Sequence, residues 1–125
     1  MNFYGTAAGG FRVLRADRRT LLLEIWGYWE DDVLNGFARL AVLALEGDEP
    51  LQDVTIDAAM LKPQSSAGQE VLLAFLRRLA AKVPEQVSMR VDNVLTQMQL
   101  TRLARQSGLN AVKFSSLSGD RPPTH

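Results

Sequence analysis

The amino-acid sequence predicts an α/β fold: one domain with a mixed, mostly parallel sheet of four to five strands, helices packed against it and a β-hairpin at its start. Three observations carry this. From Glu30 onward, short β-rich runs alternate with segments whose apolar residues recur every three or four positions. Two further β-rich runs precede them with only Asp17-Arg18-Arg19 between, a separation that fits a hairpin. At 125 residues the chain suits one domain with a real core, burying about two-thirds of the surface that its unfolded form would expose.

The hairpin strands are Phe11 to Arg15 and Leu21 to Trp26. Glu30-Asp31-Asp32 then places negative charge where a helix begins, and Val33, Phe37, Leu40 and Ala44 form one buried stripe that Gly47 ends. Leu51 to Ile56 returns to strand. Val71, Leu72, Phe75, Leu76 and Leu79 mark a second amphipathic helix that stops before Pro84. Val87 to Val91 is the next strand. Thr96-Gln97-Met98-Gln99 has capping-box spacing for a third helix, which carries Leu100 and Leu103 and closes at Ser107-Gly108. Ala111 to Phe114 is the last short strand. The domain therefore spans residues 11–115, after an N-terminal segment of residues 1–10; residues 116–125, with Pro122-Pro123 and little apolar material, read as a flexible tail.

Composition narrows the function by exclusion. The 14 Lys and Arg balance the 14 Asp and Glu, so no global field draws the chain to nucleic acid, an anionic membrane or an acidic substrate. There is no cysteine, which removes disulfides, thiolate nucleophiles and cysteine metal sites and fits a cytoplasmic protein. Met1 to Phe11 lacks the basic start and apolar stretch of a secretion signal, and no apolar run approaches the ~20 residues of a membrane span.

The passage from Leu51 to Leu79 holds the candidate site. A strand-like run ends at Asp57, and a short loop delivers Ser65-Ser66-Ala67-Gly68 to the start of an amphipathic helix. A hydroxyl held there is either a cap or a phosphate acceptor. Ser66 with Gln69 three residues on has capping-box spacing, so both roles stand, and one residue can fill both. Asp57 reads as a polar residue that ends a buried strand and organises the loop by accepting from its amides, with a direct partner contact as the alternative. Among Trp26, Tyr28 and Trp29, strand alternation sends at least one ring into the core. Arg12, Arg15, Arg18 and Arg19 read as a solvated hairpin, since Arg12 and Arg15 differ in strand parity.

No catalytic set is visible. The single histidine is His125, in the tail, and neither paired carboxylates nor a Ser-His-Asp arrangement can be assembled around Ser66. Gly5 to Gly10 lacks the lysine of a phosphate loop. A non-enzymatic function without metal or cofactor is the expectation.

The order of elements and several local signatures resemble the STAS domain family, whose best-known members are the anti-sigma factor antagonists (anti-anti-sigma factors) of bacterial partner-switching systems. Ile25-Trp26-Gly27-Tyr28-Trp29 sits where that family has a strand ending in a glycine turn before its first helix. Val54-Thr55-Ile56-Asp57 is similar to its central strand, Ser66-Ala67-Gly68 falls where it commonly writes Asp-Ser-Ala-Gly or Asp-Ser-Ser-Gly, and Ser107-Gly108-Leu109 matches the end of its third helix. The resemblance implies a cytoplasmic phosphoprotein of signal transduction and transcription regulation. Its Ser66, with Ser65 as second choice, would be phosphorylated by a kinase-like anti-sigma factor. The partner-binding set would be Asp57, Ser65, Ser66, Gln69 and Leu73. This chain has Ser65 where the family has an acidic residue, and Gly68-Gln69-Glu70 where it has Gly-Leu-Gly. Those departures keep a second class open, an unphosphorylated STAS-like scaffold or accessory subunit of a sensory or lipid-transport complex. A small-molecule sensor is a third, and a homodimer is compatible with all of them.

Overall fold

Two residue periodicities build this protein, one of two for strands and one of 3.6 for helices, and they meet in a single core. The structure, a computed structural model, describes residues 2–47, 50–109 and 112–115. The elements run β1 Asn2–Thr6, β2 Gly9–Asp17, β3 Thr20–Gly27, α1 Asp31–Leu40, a 3-10 turn over Ala41–Leu45, β4 Asp53–Leu61, α2 Ser66–Ala81, β5 Gln86–Val91, α3 Val94–Ser107 and β6 Val112–Ser115. All six strands form one sheet whose lateral order is the order of the chain. The β1–β2 and β2–β3 pairings are antiparallel, and the three that follow are parallel.

The mixed, mostly parallel α/β architecture is as expected, with one strand more than the four to five predicted. The addition is β1, inside the N-terminal segment. Its few residues show no apolar alternation, and only the pairing with Gly9–Val13 and the stacking of Tyr4 on Phe11, 6.1 Å between ring centroids, make a strand of them. The first helix is shorter than its stripe implies: α1 stops at Leu40, and the next turn tightens to 3-10 geometry while Leu45 stays buried. Arg15 reaches across to donate to the Ala44 carbonyl at 2.7 Å, tying the hairpin to that turn. At the hairpin tip the Arg19 amide donates to Asp17 at 2.8 Å and holds its carboxyl below the ordinary range. The expected tail, 116–125, lies outside the described residues.

One face of the sheet is apolar along every central strand. Phe11 and Val13, Leu21, Leu23 and Ile25, Val54 and Ile56, and Val87, Met89 and Val91 all bury there. The helices cover this face with Phe37, Leu72, Phe75, Leu79, Leu100 and Leu103, and the rings of Trp29, Phe37 and Phe75 run through the core at 4.7 and 5.2 Å between successive centroids. The opposite face meets solvent: Leu22, Thr55 and Met60 are exposed on it. Among the described residues no helix is long and apolar enough to cross a membrane.

Candidate functional site at the start of the second helix

The parallel strand β4 leaves the sheet at Leu61, and after a loop of four residues the chain turns into α2 at Ser66. Buried Gln64 holds that short loop. Its side-chain amide donates to the Gly27 carbonyl at 2.9 Å and to the Lys62 carbonyl at 2.7 Å, while its side-chain oxygen accepts from the Trp29 amide at 3.0 Å. Its backbone is equally engaged: the N–H donates to Gln99 Oε1 at 2.8 Å, and the carbonyl accepts from Gln69 Nε2 at 3.1 Å and Gln99 Nε2 at 3.2 Å. Through its side chain toward β3 and its backbone toward α2 and α3, this buried residue fixes the loop against all three at once. Gly68 leaves room for it, since a Cβ there would stand 2.9 Å from the Gln64 Cβ.

The loop ends in two serines with different tasks. Ser65 is the N-cap, its hydroxyl accepting from the Gly68 amide at 3.1 Å. The capping-box reading of Ser66 with Gln69 is therefore corrected by one position: Ser65 has the extended backbone a cap requires, and Ser66 is already helical. Gln69 turns its side chain to the Gln64 carbonyl instead of closing a box. The Ser66 hydroxyl, spared that duty, is exposed and makes no hydrogen bond among the described residues.

The two serines also face different surroundings. Ser66 lines a groove of about 270 Å³ between α2 and α3 with Gln69, Glu70, Leu73 and Arg102. Arg102 donates to Gln69 Oε1 across it. Ser65 instead borders a hollow of about 480 Å³ toward α1, where Glu30, Asp31 and Asp32 supply three carboxylates. Of the residues singled out from sequence, Ser66, Gln69 and Leu73 thus come together, with Ser65 on the other shoulder of the helix start.

Asp57 does not join them. It sits within β4 rather than at its end, on the solvent face of the sheet, and its carboxylate accepts from the Ala59 amide at 3.1 Å. Between Asp57 and Met60 the strand holds one residue more than β3 does opposite it, so Asp57 organises a β-bulge where a loop was expected. The aromatics divide as alternation predicts: Trp29 is core, Tyr28 is exposed and Trp26 lies on the solvent face. Gln64 and Arg102 went unseen in the sequence, since a loop amide and a surface arginine carry no periodic signal, and Gln99, read there as part of a capping box, turns instead to the Gln64 backbone. Among the described residues no cluster of His, Cys, Asp or Glu is suited to hold a metal ion.

The sheet order, the helices on one face and the serine-bearing turn between β4 and α2 define a STAS-like fold. No family model matches the chain and no curated protein matches it. Among solved structures it is similar to the anti-sigma factor antagonist SpoIIAA in its unphosphorylated form, with a TM-score of 0.57 and 15% sequence identity, over 86% of this chain and 90% of that one. An identity this low speaks for the fold.

Proposed function

We propose that this chain is a non-enzymatic regulatory module that binds another protein as an anti-sigma factor antagonist does, through the start of α2 and the α2–α3 groove, and that phosphorylation of Ser66 switches the binding off. One observation carries the reading: Ser65 supplies the cap, which leaves the Ser66 hydroxyl exposed and uncommitted at the mouth of a helix. A phosphate on Ser66 would add about −1.5 to −2 charges at neutral pH, stabilised by the helix end and by nearby Arg102, while obstructing a partner shaped around a neutral hydroxyl. Ser65 is the poorer acceptor, because its oxygen is engaged and Glu30, Asp31 and Asp32 line its hollow.

The experiment is incubation of the full chain with ATP and each kinase-like anti-sigma protein of the source genome, with the phosphate mapped by mass spectrometry and partner affinity measured by calorimetry. Phosphate on Ser66 that disappears in Ser66→Ala, together with at least about tenfold weaker partner binding by Ser66→Asp, is the expected result. Partner binding that is tight in wild type and indifferent to both substitutions would overturn the switch and leave a constitutive scaffold.

A further inference from the structure

On the solvent face of the sheet lies a hollow of about 650 Å³, walled by Phe3, Trp26 and Met60 and floored by Asp57, with Lys62 and Arg90 beside it. Strand register aligns one row of side chains beneath it: Phe3 opposite Arg12, Arg12 opposite Glu24, Glu24 opposite Asp57, and Asp57 opposite Arg90. Most charges in that row are accounted for. Arg12 pairs with Glu24 at 2.5 Å, and Asp57 accepts from the Ala59 amide. Arg90 differs: its Nε is buried and has no hydrogen-bond partner among the described residues, and it forms no ion pair there. A buried cationic N–H without an acceptor is rare in a native protein, and it leaves this guanidinium short of an anionic partner.

The apolar wall is fixed in advance. The Trp26 indole donates to the Thr6 carbonyl at 2.7 Å, and the Phe3 ring lies 5.7 Å from it at 31°. Gly10, opposite Trp26 in register, gives that ring its room, since a Cβ would come within 2.8 Å of it. A planar apolar wall beside an unsatisfied guanidinium, in a hollow of small-molecule size, is complementary to a ring that bears an anion. With Arg12 neutralised by Glu24, Lys62 and Arg90 face the one carboxylate of Asp57, so the balance favours an anionic guest.

We infer that this hollow binds a small aromatic carboxylate, its ring against Trp26 and Met60 and its carboxylate against the Arg90 guanidinium, with Lys62 adding charge at the rim. The site shares no lining residue with the groove beside Ser66, so it stands whether or not Ser66 is a switch. The probe is 2-naphthoate, titrated into the full chain and followed by amide and indole NMR resonances. Saturable shifts at the Trp26 indole, Ala59 and Met60 are expected. Arg90→Met, which keeps an apolar stem but removes the charge and the orphaned N–H, weakens binding by about tenfold or more. The neutral analogue 2-naphthalenemethanol does not distinguish the two proteins. Met60→Glu, at a position 71% exposed, places a carboxylate on the rim and weakens naphthoate several-fold without touching the core, which covers the case in which Arg90→Met does not fold. Absence of saturable binding, shifts confined to other surfaces, or equal affinity for wild type and the tested variants would overturn the inference.

Discussion

Gln64 holds the serine turn by itself to an unusual degree. It is buried, and its side chain bridges the Gly27 and Lys62 carbonyls to the Trp29 amide. Gln64→Leu keeps the volume roughly and removes every one of those bonds, leaving the buried Trp29 amide without its acceptor while the Gly27 carbonyl keeps only the Lys62 amide. We expect a loss of about 3 kcal/mol in urea unfolding, well beyond the ~1 kcal/mol of removing the Ser65 cap by Ser65→Ala. The two substitutions separate the turn's frame from its helix cap, because Ser65 bonds only within its own turn whereas Gln64 reaches β3. Equal losses from the two would show that the frame adds nothing beyond the cap. Ser66, which bonds to neither, should tolerate Ala with no measurable change in stability, so any effect of that variant on partner binding reads on recognition alone.

At the scale of elements, α3 is tied to the sheet by Thr96. Its hydroxyl is buried and donates to the Leu61 carbonyl at 2.9 Å, the last residue of β4, while Asn93 caps the helix by accepting from the Thr96 amide at 3.0 Å. Thr96→Val conserves shape and burial yet leaves that carbonyl short of a donor, and should cost about 1–2 kcal/mol by chemical denaturation. An unchanged midpoint would mean that the carbonyl has found water. The same residue shows how far the sequence could be read. A Thr-x-x-Gln spacing before an apolar run looks like a capping box, and nothing local reveals that Thr96 faces inward and that the cap lies three residues earlier. The end of α3 was legible, because Gly108 supplies the left-handed conformation at φ +79° that such a helix end requires. Strands β2 to β6 and the helices were legible from their periodicity. β1 was not, since its order comes from a neighbouring strand and not from its own residues. At the candidate site, the helix start follows from local spacing to within one residue, while the exchange of roles between Ser65 as cap and Ser66 as free hydroxyl does not. The framing amides of Gln64 and Gln99 depend on contacts 35 residues apart. The place of Asp57 on the solvent face follows the alternation of Val54 and Ile56, whereas the continuation of β4 beyond it, through a bulge, has no local signal.

Across the whole molecule, the sheet is protected unequally. Strands β3 and β4 lie inside it and carry much of the core on their inner side, with Leu21, Leu23, Ile25, Val54 and Ile56 all buried. Among the described residues β1 and β6 each have a single neighbour. Amide hydrogen exchange should therefore be slowest over Leu21–Ile25 and Val54–Ala58 and should quicken outward to both edges. Edge strands as slow as the centre would point to an additional strand or a second copy pairing with them.

The lateral order of the strands, identical to their order along the chain, bears on how the protein comes into being. During synthesis each strand leaves the ribosome to find its neighbour already at the growing margin, so nothing must be inserted between two strands that have met. Loop-closure entropy is then met in small instalments, and the slowest kind of β assembly, the joining of distant segments, is avoided. What arrives late is most of the roof: until α2 and α3 have emerged, the apolar side of four finished strands has only α1 and the turn after it for cover. That interval, more than any step of threading, is when a newborn copy is exposed to its own kind.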